Sequence, residues 1–295
     1  MPTKKYYKVA DYVFALDFPR EDDLMDKMLN LKPFVCEASD PIFTLSLCDG
    51  LRKDGAETIF RSDSDPQMAM LNLYSRDGRY LVEMAPLPSL PVVAWMEMAA
   101  DFTEACIAWE PGVSESSKMF AMNNAMMLLF AFRTATLGGL EFHSSTVVKD
   151  GRGYMFLGPS GTGKSTHSSL WLKHIPEVEL LNDDNPAVRV FPDGKAIVYG
   201  TPWSGKTPCY KNKSVPVGAI VRLRQAPENR IQKLGPVQAY ATLMTSTSGF
   251  RPFKGIADGM HASLSALVAA VPCYELECLP DKDAAELSYN TIAKN

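Results

Sequence analysis

Over the first hundred residues the apolar positions fall into short runs. "KYYKVADYVFALDF" (5–18) has the aromatic and β-branched content of a strand. "DDLMDKMLNL" (22–31) predicts one short helix. "PIFTLSLC" (41–48), "AETIFRS" (56–62), "MAMLNLYS" (68–75) and "RYLVEMA" (79–85) predict short strands, separated by the turn clusters "CDGLRKDG", "SDSDP" and "SRDG". After the proline-rich "LPSLPVV" (87–93), "VVAWMEMA" and "FTEACIAWE" resume as strands. "EPGVSESS" (110–117) is the clearest break in the chain. The segment that follows, "KMFAMNNAMMLLFAFRTATLGG" (118–139), is mostly apolar and is stopped by Gly138-Gly139, which predicts a long buried helix. Its longest apolar run, Ala125–Phe132, is far short of the roughly twenty residues that a bilayer requires.

From Phe142 the pattern changes. "FHSSTVV" (142–148) and "YMFL" (154–157) predict strands joined by the turn "KDGRG". A helix, "KSTHSSLWLKH" (164–174), comes next. "VELLNDD" (178–184) reads as a strand ending in acids, and "PAVRVF" and "AIVYG" as a hairpin around "PDGK". "GAIVRL" and "RIQKL" read as further strands, and "CYELEC" as a strand between helices at "MHASLSALVAAV" and "KDAAELSYNTIAK". Another helix is predicted at "PVQAYATLM". No repeat period is evident. The expected class is α/β of a mixed α+β kind, with a β-rich N-terminal lobe over 1–113 and an α/β nucleotide lobe over 114–295.

Between the strand "YMFL" and its helix lies "GPSGTGKST". Gly158, Gly163, Lys164 and Ser165 meet the pattern G-x-x-x-x-G-K-[ST]. Glycines allow dihedrals that a Cβ forbids, so successive N–H groups can surround a phosphate. The helix that starts at Lys164 adds its positive end. Lys164 is expected to span the outer phosphates and Ser165 to ligate Mg²⁺, with Ser160, Gly161, Thr162 and Thr166 completing the cradle. Asp183 and Asp184 close the next strand, where a Walker-B-type acid belongs. Two adjacent acids allow one to hold the metal and the other to accept a proton from an attacking hydroxyl. His143 opens the strand hairpin that leads into the loop. His167, His174 and His261 read as structural. In "GTPWSGK" (200–206), Gly200, Pro202 and Gly205 pin a tight loop, Trp203 offers a flat face, and Lys206 offers a charge that can reach a phosphate.

Bulk composition narrows the field. The chain has 295 residues, 46% hydrophobic and 22% charged, as expected of a globular protein. A net charge of −4 and a pI near 5.7 argue against a nucleic-acid partner. No signal peptide is apparent, and the six scattered cysteines form no CxxC pair, which predicts reduced thiols in a cytoplasmic protein.

Taken together, "HSSTVVKDGRGYMFLGPSGTGKST…LLNDD…YGTPW" resembles the catalytic domain of the HPr kinase/phosphorylase family, within the P-loop group that includes phosphoenolpyruvate carboxykinase. The resemblance covers roughly residues 140–225. It implies a P-loop nucleotide lobe of that type, with Lys164 and the loop amides on the phosphates and Ser165 on Mg²⁺. It further implies Asp183 as the proton-accepting base, with Asp184 and His143 supporting the base or the metal. The family's Glu-Ile-Arg-Gly-Leu-Gly run has no clear counterpart; "KNKSVPVGAIV" stands near its place. The expected function is therefore an ATP- and Mg²⁺-dependent kinase that acts on a hydroxyl other than that of HPr, in a protein, peptide or small metabolite. Lys206 or Arg222 would help to stabilise charge. Two alternatives stand beside it: a nucleotide-gated regulatory module with little catalysis, and hydrolytic or decarboxylating nucleotide chemistry.

Overall fold

The computed structural model describes residues 2–19, 22–62, 66, 68–205 and 207–294. The chain divides into two compact units, Met1–Arg133 and Thr134–Asn295. Both combine helices with a mixed sheet. Among the described residues no helix is long and apolar enough to cross a membrane.

The first unit opens with β1 (Pro2–Val9) and β2 (Tyr12–Pro19), paired antiparallel in register Val9↔Tyr12. One continuous strand was expected here. The reversal comes from Ala10 and Asp11, both with positive φ (50° and 62°), as a two-residue hairpin turn requires. The expected single helix over 22–31 is a short α1 (Leu24–Lys27) followed by a 3-10 turn, Leu29–Phe34, which contains Pro33. Then come β3 (Val35–Cys36), β4 (Thr44–Leu47), β5 (Glu57–Phe60), β6 (Met70–Arg76), β7 (Arg79–Ala85), β8 (Ala94–Met98) and β9 (Glu104–Trp109). Their order across the sheet is β3-β1-β2-β4-β9-β8-β7-β6-β5.

Helix α2 (Glu115–Ala135) closes this unit. Its inner side buries Ala121, Met122, Ala125, Met126 and Leu129. The Phe130 ring lies 6.1 Å from Tyr12, Phe132 lies 5.3 Å from Phe102, and Asn30 Nδ2 donates to Asn123 Oδ1 at 2.8 Å. These contacts tie the helix to β2, the 3-10 turn and the β8–β9 connection of the first unit. The division therefore falls at 133/134 and not at the expected 113/114. The "EPGVSESS" break is a turn inside the first unit.

The second unit contains β10 (Gly139–Phe142), β11 (Ser144–Lys149), β12 (Arg152–Leu157), α3 (Lys164–His174), β13 (Glu179–Asp184), β14 (Ala187–Val190), β15 (Ala196–Tyr199), β16 (Ser214–Gln225), β17 (Arg230–Lys233), α4 (Pro236–Ser246), β18 (Thr247–Ser248), α5 (Lys254–Ala270), β19 (Cys273–Cys278) and α6 (Lys282–Ile292). The sheet runs β13-β11-β12-β16-β15-β14-β10-β18, with β19 joining β16 and β17. β16 runs parallel to β12 and to β19, and β13 is antiparallel to β11.

Trp171 of α3 is the centre of this unit's core. Its ring lies 5.4 Å from both Tyr154 and Phe156 of β12 and 5.8 Å from Tyr289 of α6. Its Nε1–H donates to Ser288 Oγ at 2.9 Å, and the same hydroxyl lies 3.1 Å from His167 Nε2. One serine thus satisfies two buried rings. Burial holds the His167 pKa down at about 4.

Two outcomes follow for unfolding experiments. Ser288→Ala leaves the Trp171 N–H without its partner and should cost about 1–3 kcal/mol in urea denaturation. His167 binds its proton more weakly in the folded chain than in the unfolded one, where its pKa is ordinary. Stability should therefore fall as pH drops from about 6.5 to about 4, and His167→Phe should flatten that slope.

Candidate functional site

The glycine-rich loop joins β12 to α3. Gly158, Gly161 and Gly163 all have positive φ (153°, 79° and 103°). Gly163 is the left-handed residue immediately before the helix and offers its carbonyl to the His167 N–H. A side chain there would be strained. Thr162 fastens the tip, with its N–H and Oγ1–H both donating to the Pro159 carbonyl. Ser160, Ser165 and Thr166 are exposed. Ser169 Oγ donates to the Ser165 carbonyl at 2.8 Å, one turn along the helix.

Lys164 is buried, although it begins the helix. Its ammonium donates to the Gly158 carbonyl at 2.9 Å and to the Pro159 carbonyl at 3.2 Å. Burial lowers its pKa, and the fields of Asp184 and Asp183 oppose that shift. Both acids therefore lie within reach of its charge.

Asp183 and Asp184 end β13, next to β11 in register Ser145↔Asp183 and Ser144↔Asp184. Asp183 is buried and Asp184 half-buried. His143, between β10 and β11, places Nε2 3.3 Å from Asp184 Oδ1. With its proton on Nε2 it donates to that carboxylate. Burial first, then the Lys164 charge, lower the His143 pKa, while Asp184 acts in the opposite sense. Asp184 is raised, chiefly by burial; His143 and Lys164 counter this, and Asp183 adds to it. Lys164, Asp183, Asp184 and His143, far apart in sequence, thus form one electrostatic cluster at the mouth of the loop.

The "GTPWSG" loop is held against these acids. The Gly205 N–H donates to the Asp183 carbonyl at 2.7 Å, and Asp184 and Ser204 form an isolated bridge. A Cβ on Gly205 would stand 3.0 Å from that carbonyl and 3.3 Å from the Asp184 side chain. Trp203 is buried, so its face is part of the packing and is not presented outward. Lys206, expected to reach a phosphate, lies outside the described residues.

Three features had no clear signal in the sequence. Asn182 is fully buried inside "LLNDD" and organises the turn. Its Oδ1 accepts from the N–H groups of Asp184 (3.1 Å) and Asn185 (2.9 Å). Its Nδ2 donates to Thr201 Oγ1 and the Trp203 carbonyl, both at 3.1 Å. Glu141 on β10 is buried, and neither carboxylate oxygen has a hydrogen-bond partner among the described residues. Burial, then the Asp184 charge, push its pKa well above the carboxylate range, which favours the uncharged acid. The third is a cavity of about 510 Å³ beside the loop, bounded by Gly161–Gly163, α3, the end of β16 and Cys278–Pro280.

Arg222, on β16, registers with Leu157 at the start of the loop and pairs with Glu275 at 3.7 Å. Among the described residues no three His, Cys, Asp or Glu side chains are grouped to hold a metal ion unaided. All six cysteines are free.

The couplings at His143 give a titration test. Lys164→Met removes a charge that opposes the imidazolium and should raise the His143 pKa. Asp184→Asn removes one that favours it and should lower the pKa. Ring-carbon NMR titrations of the two variants should therefore move in opposite directions from wild type.

Among known structures, the Hpr(Ser) kinase/phosphatase from Coxiella burnetii is similar at 13% identity and a TM-score of 0.30, covering 51% of this chain and 95% of that one. No curated protein sequence matches. The family model described as SynChlorMet cassette protein ScmC matches residues 107–279. That span is more than half of the chain and includes the glycine loop, the paired acids and His143. The chain therefore belongs to the ScmC family.

Proposed function

We propose that the Thr134–Asn295 unit binds a nucleoside triphosphate and transfers its terminal phosphoryl group to a hydroxyl acceptor. The observation that carries this reading is the convergence of a buried lysine, two acids and a histidine at a glycine loop that opens a helix. A phosphate site alone requires no candidate base, whereas phosphoryl transfer requires positioning, charge stabilisation and an acceptor for the hydroxyl proton.

Each residue has a role that its geometry permits. The loop N–H groups and the end of α3 take the phosphates. Lys164 exchanges its two carbonyl partners for phosphate oxygens. Asp183, buried beside Lys164, accepts the proton of the attacking hydroxyl as the new phosphorus–oxygen bond forms and the bond from that phosphorus to the bridging oxygen breaks, releasing the nucleoside diphosphate. Asp184 is oriented by His143 and by the Asn182 turn. Mg²⁺ commonly keeps several waters and takes one or two carboxylates together with substrate phosphates. The exposed Ser165 hydroxyl and the Asp184 carboxylate fit that demand and would hold it. Bound there, Mg²⁺ would offset the phosphate charge. Glu141, with no side-chain partner among the described residues, has its pKa pushed up by burial and by Asp184, which disfavours a further negative charge there.

The test is phosphorus NMR of ATP and Mg²⁺ with the purified protein and a panel of hydroxyl acceptors that includes free serine and serine peptides. A new phosphate-ester signal is expected. Asp183→Asn should slow its appearance by about 10²–10⁴-fold while leaving ATP affinity within about threefold of wild type, a change under 1 kcal/mol. ATP that is bound yet stays intact with every acceptor, including protein extracts, would overturn transfer in favour of a nucleotide-gated regulatory module.

A further inference from the structure

The first unit carries an aromatic and acidic surface that its own chain covers. Across β6, β7 and β8, Asn72 registers with Glu83, Glu83 with Trp95, and Tyr74 with Leu81. Directly opposite residues share a face of a sheet, as do residues two apart along a strand. These five side chains therefore lie on one face. It is the face turned away from α2, since Tyr80 on the other side stacks on Phe102, which meets Phe132 of that helix. An outer sheet face is commonly polar and solvated. Here Tyr74, Leu81 and Trp95 are buried, because the connection Asp49–Ala56 crosses them like a strap and packs Leu51 and Ala56 against their side chains.

The strap has neither helix nor strand. Gly50 and Gly55 stand near its two ends, both with positive φ (74° and 72°). Its two cations reach two acids at the covered face. Arg52 Nη1 lies 3.2 Å from Glu110 Oε1, which also accepts from the Trp95 Nε1–H at 2.9 Å. Lys53 Nζ lies 5.7 Å from the centroid of the Tyr74 ring and 3.6 Å from Glu83 Oε1. Glu83 is buried, and its Oε2 accepts from Asn72 Nδ2 at 3.0 Å and from the Tyr74 hydroxyl at 2.7 Å. The Lys53 contact is longer than a hydrogen bond. A cation that closes on Oε1 would be held more strongly than the resident one. The strap backbone is fastened separately: Arg76 Nη1 donates to the Arg52 and Asp54 carbonyls, both at 3.0 Å.

We infer that this face is a docking site for a basic segment of a partner protein, one with an aliphatic side chain followed by Arg and Lys, and that the strap occupies it as an internal mimic. The aliphatic side chain takes the place of Leu51 on Tyr74, Leu81 and Trp95. The two cations take the places of Arg52 and Lys53 beside Glu110 and Glu83. A ligand that must first displace the strap binds with an affinity reduced by the fraction of molecules in which the face is open. Loosening the strap without touching the acids should therefore tighten binding, a result that simple loop packing does not produce. The inference is independent of the phosphoryl-transfer reading.

The experiment is fluorescence anisotropy of the full chain with a labelled synthetic peptide of the strap's own sequence, DGLRKDGA. Arg76→Ala should raise its affinity at least about tenfold over wild type, equivalent to about 1.4 kcal/mol. Replacing both cations of the peptide by Gln should remove that gain. Adding Glu83→Gln and Glu110→Gln to the protein should remove it too, since an amide oxygen still accepts from Asn72, Tyr74 and Trp95 but carries no charge. Arg52→Ala with Lys53→Ala frees the acids by a second route and should also tighten binding. A single cooperative urea transition shows that each variant is folded. An affinity that neither opened variant raises, or binding that survives the loss of charge on either side, would overturn the docking site. Dimerisation of the opened variants, read by light scattering, would assign the face to the strap of a second copy and overturn a partner segment.

Discussion

An ammonium group buried at the start of a helix is the constraint around which the second unit is arranged. A charge removed from water needs partners, and an unpaired one is expensive. Lys164 has two carbonyls of its own loop as direct partners and the fields of Asp183 and Asp184 beyond them. Those carbonyls are available only because the loop folds back on itself through residues with positive φ. The acids are in range only because β13 lies two strands from β12. The lysine therefore sits in a cage whose closest walls are neutral, and an anion entering the loop offers it stronger partners than it has now.

Sheet register converts that local requirement into a site. Asp184 registers with Ser144, Ser144 with Leu157, and Leu157 with Arg222. With neighbouring strands about 4.8 Å apart, this row places an acid and a guanidinium on either side of the strand end from which the loop springs. Asn182 then fixes the acidic turn by accepting two backbone N–H groups and donating into the "GTPWSG" loop. Buried and doubly engaged, it leaves the turn little freedom. Glu141 stands apart as a buried acid whose carboxylate has no hydrogen-bond partner among the described residues, and burial favours its uncharged form.

Much of this arrangement was legible in the sequence, for identifiable reasons. The strand–loop–helix unit around Lys164 is local, and its apolar pattern, glycines and helix start lie within about twenty residues of one another. The Asp-Asp strand end was equally plain, because an apolar run that stops at two acids has few other readings. What was not legible depends on distant contacts. The Ala10–Asp11 reversal is hidden in a strand-like run, since Ala-Asp is not the Asn-Gly or Asp-Gly pair that announces a hairpin. The allegiance of α2 to the first unit is decided by Tyr12, Asn30 and Phe102, which its own sequence does not reveal. Asn182 and Glu141 look like ordinary polar residues in strands until burial is known. The cavity is assembled from three segments separated by more than fifty residues each, so no window of sequence contains it.

On the proposed function, Lys164 is held ready for phosphate and changes partners when phosphate arrives. The most direct measurement is a crystal structure with Mg²⁺ and a non-hydrolysable ATP analogue. Lys164 Nζ should leave the Gly158 and Pro159 carbonyls for the outer phosphate oxygens, with the terminal phosphate beside Asp183. A nucleotide bound away from the loop, with Lys164 still on both carbonyls, would contradict it.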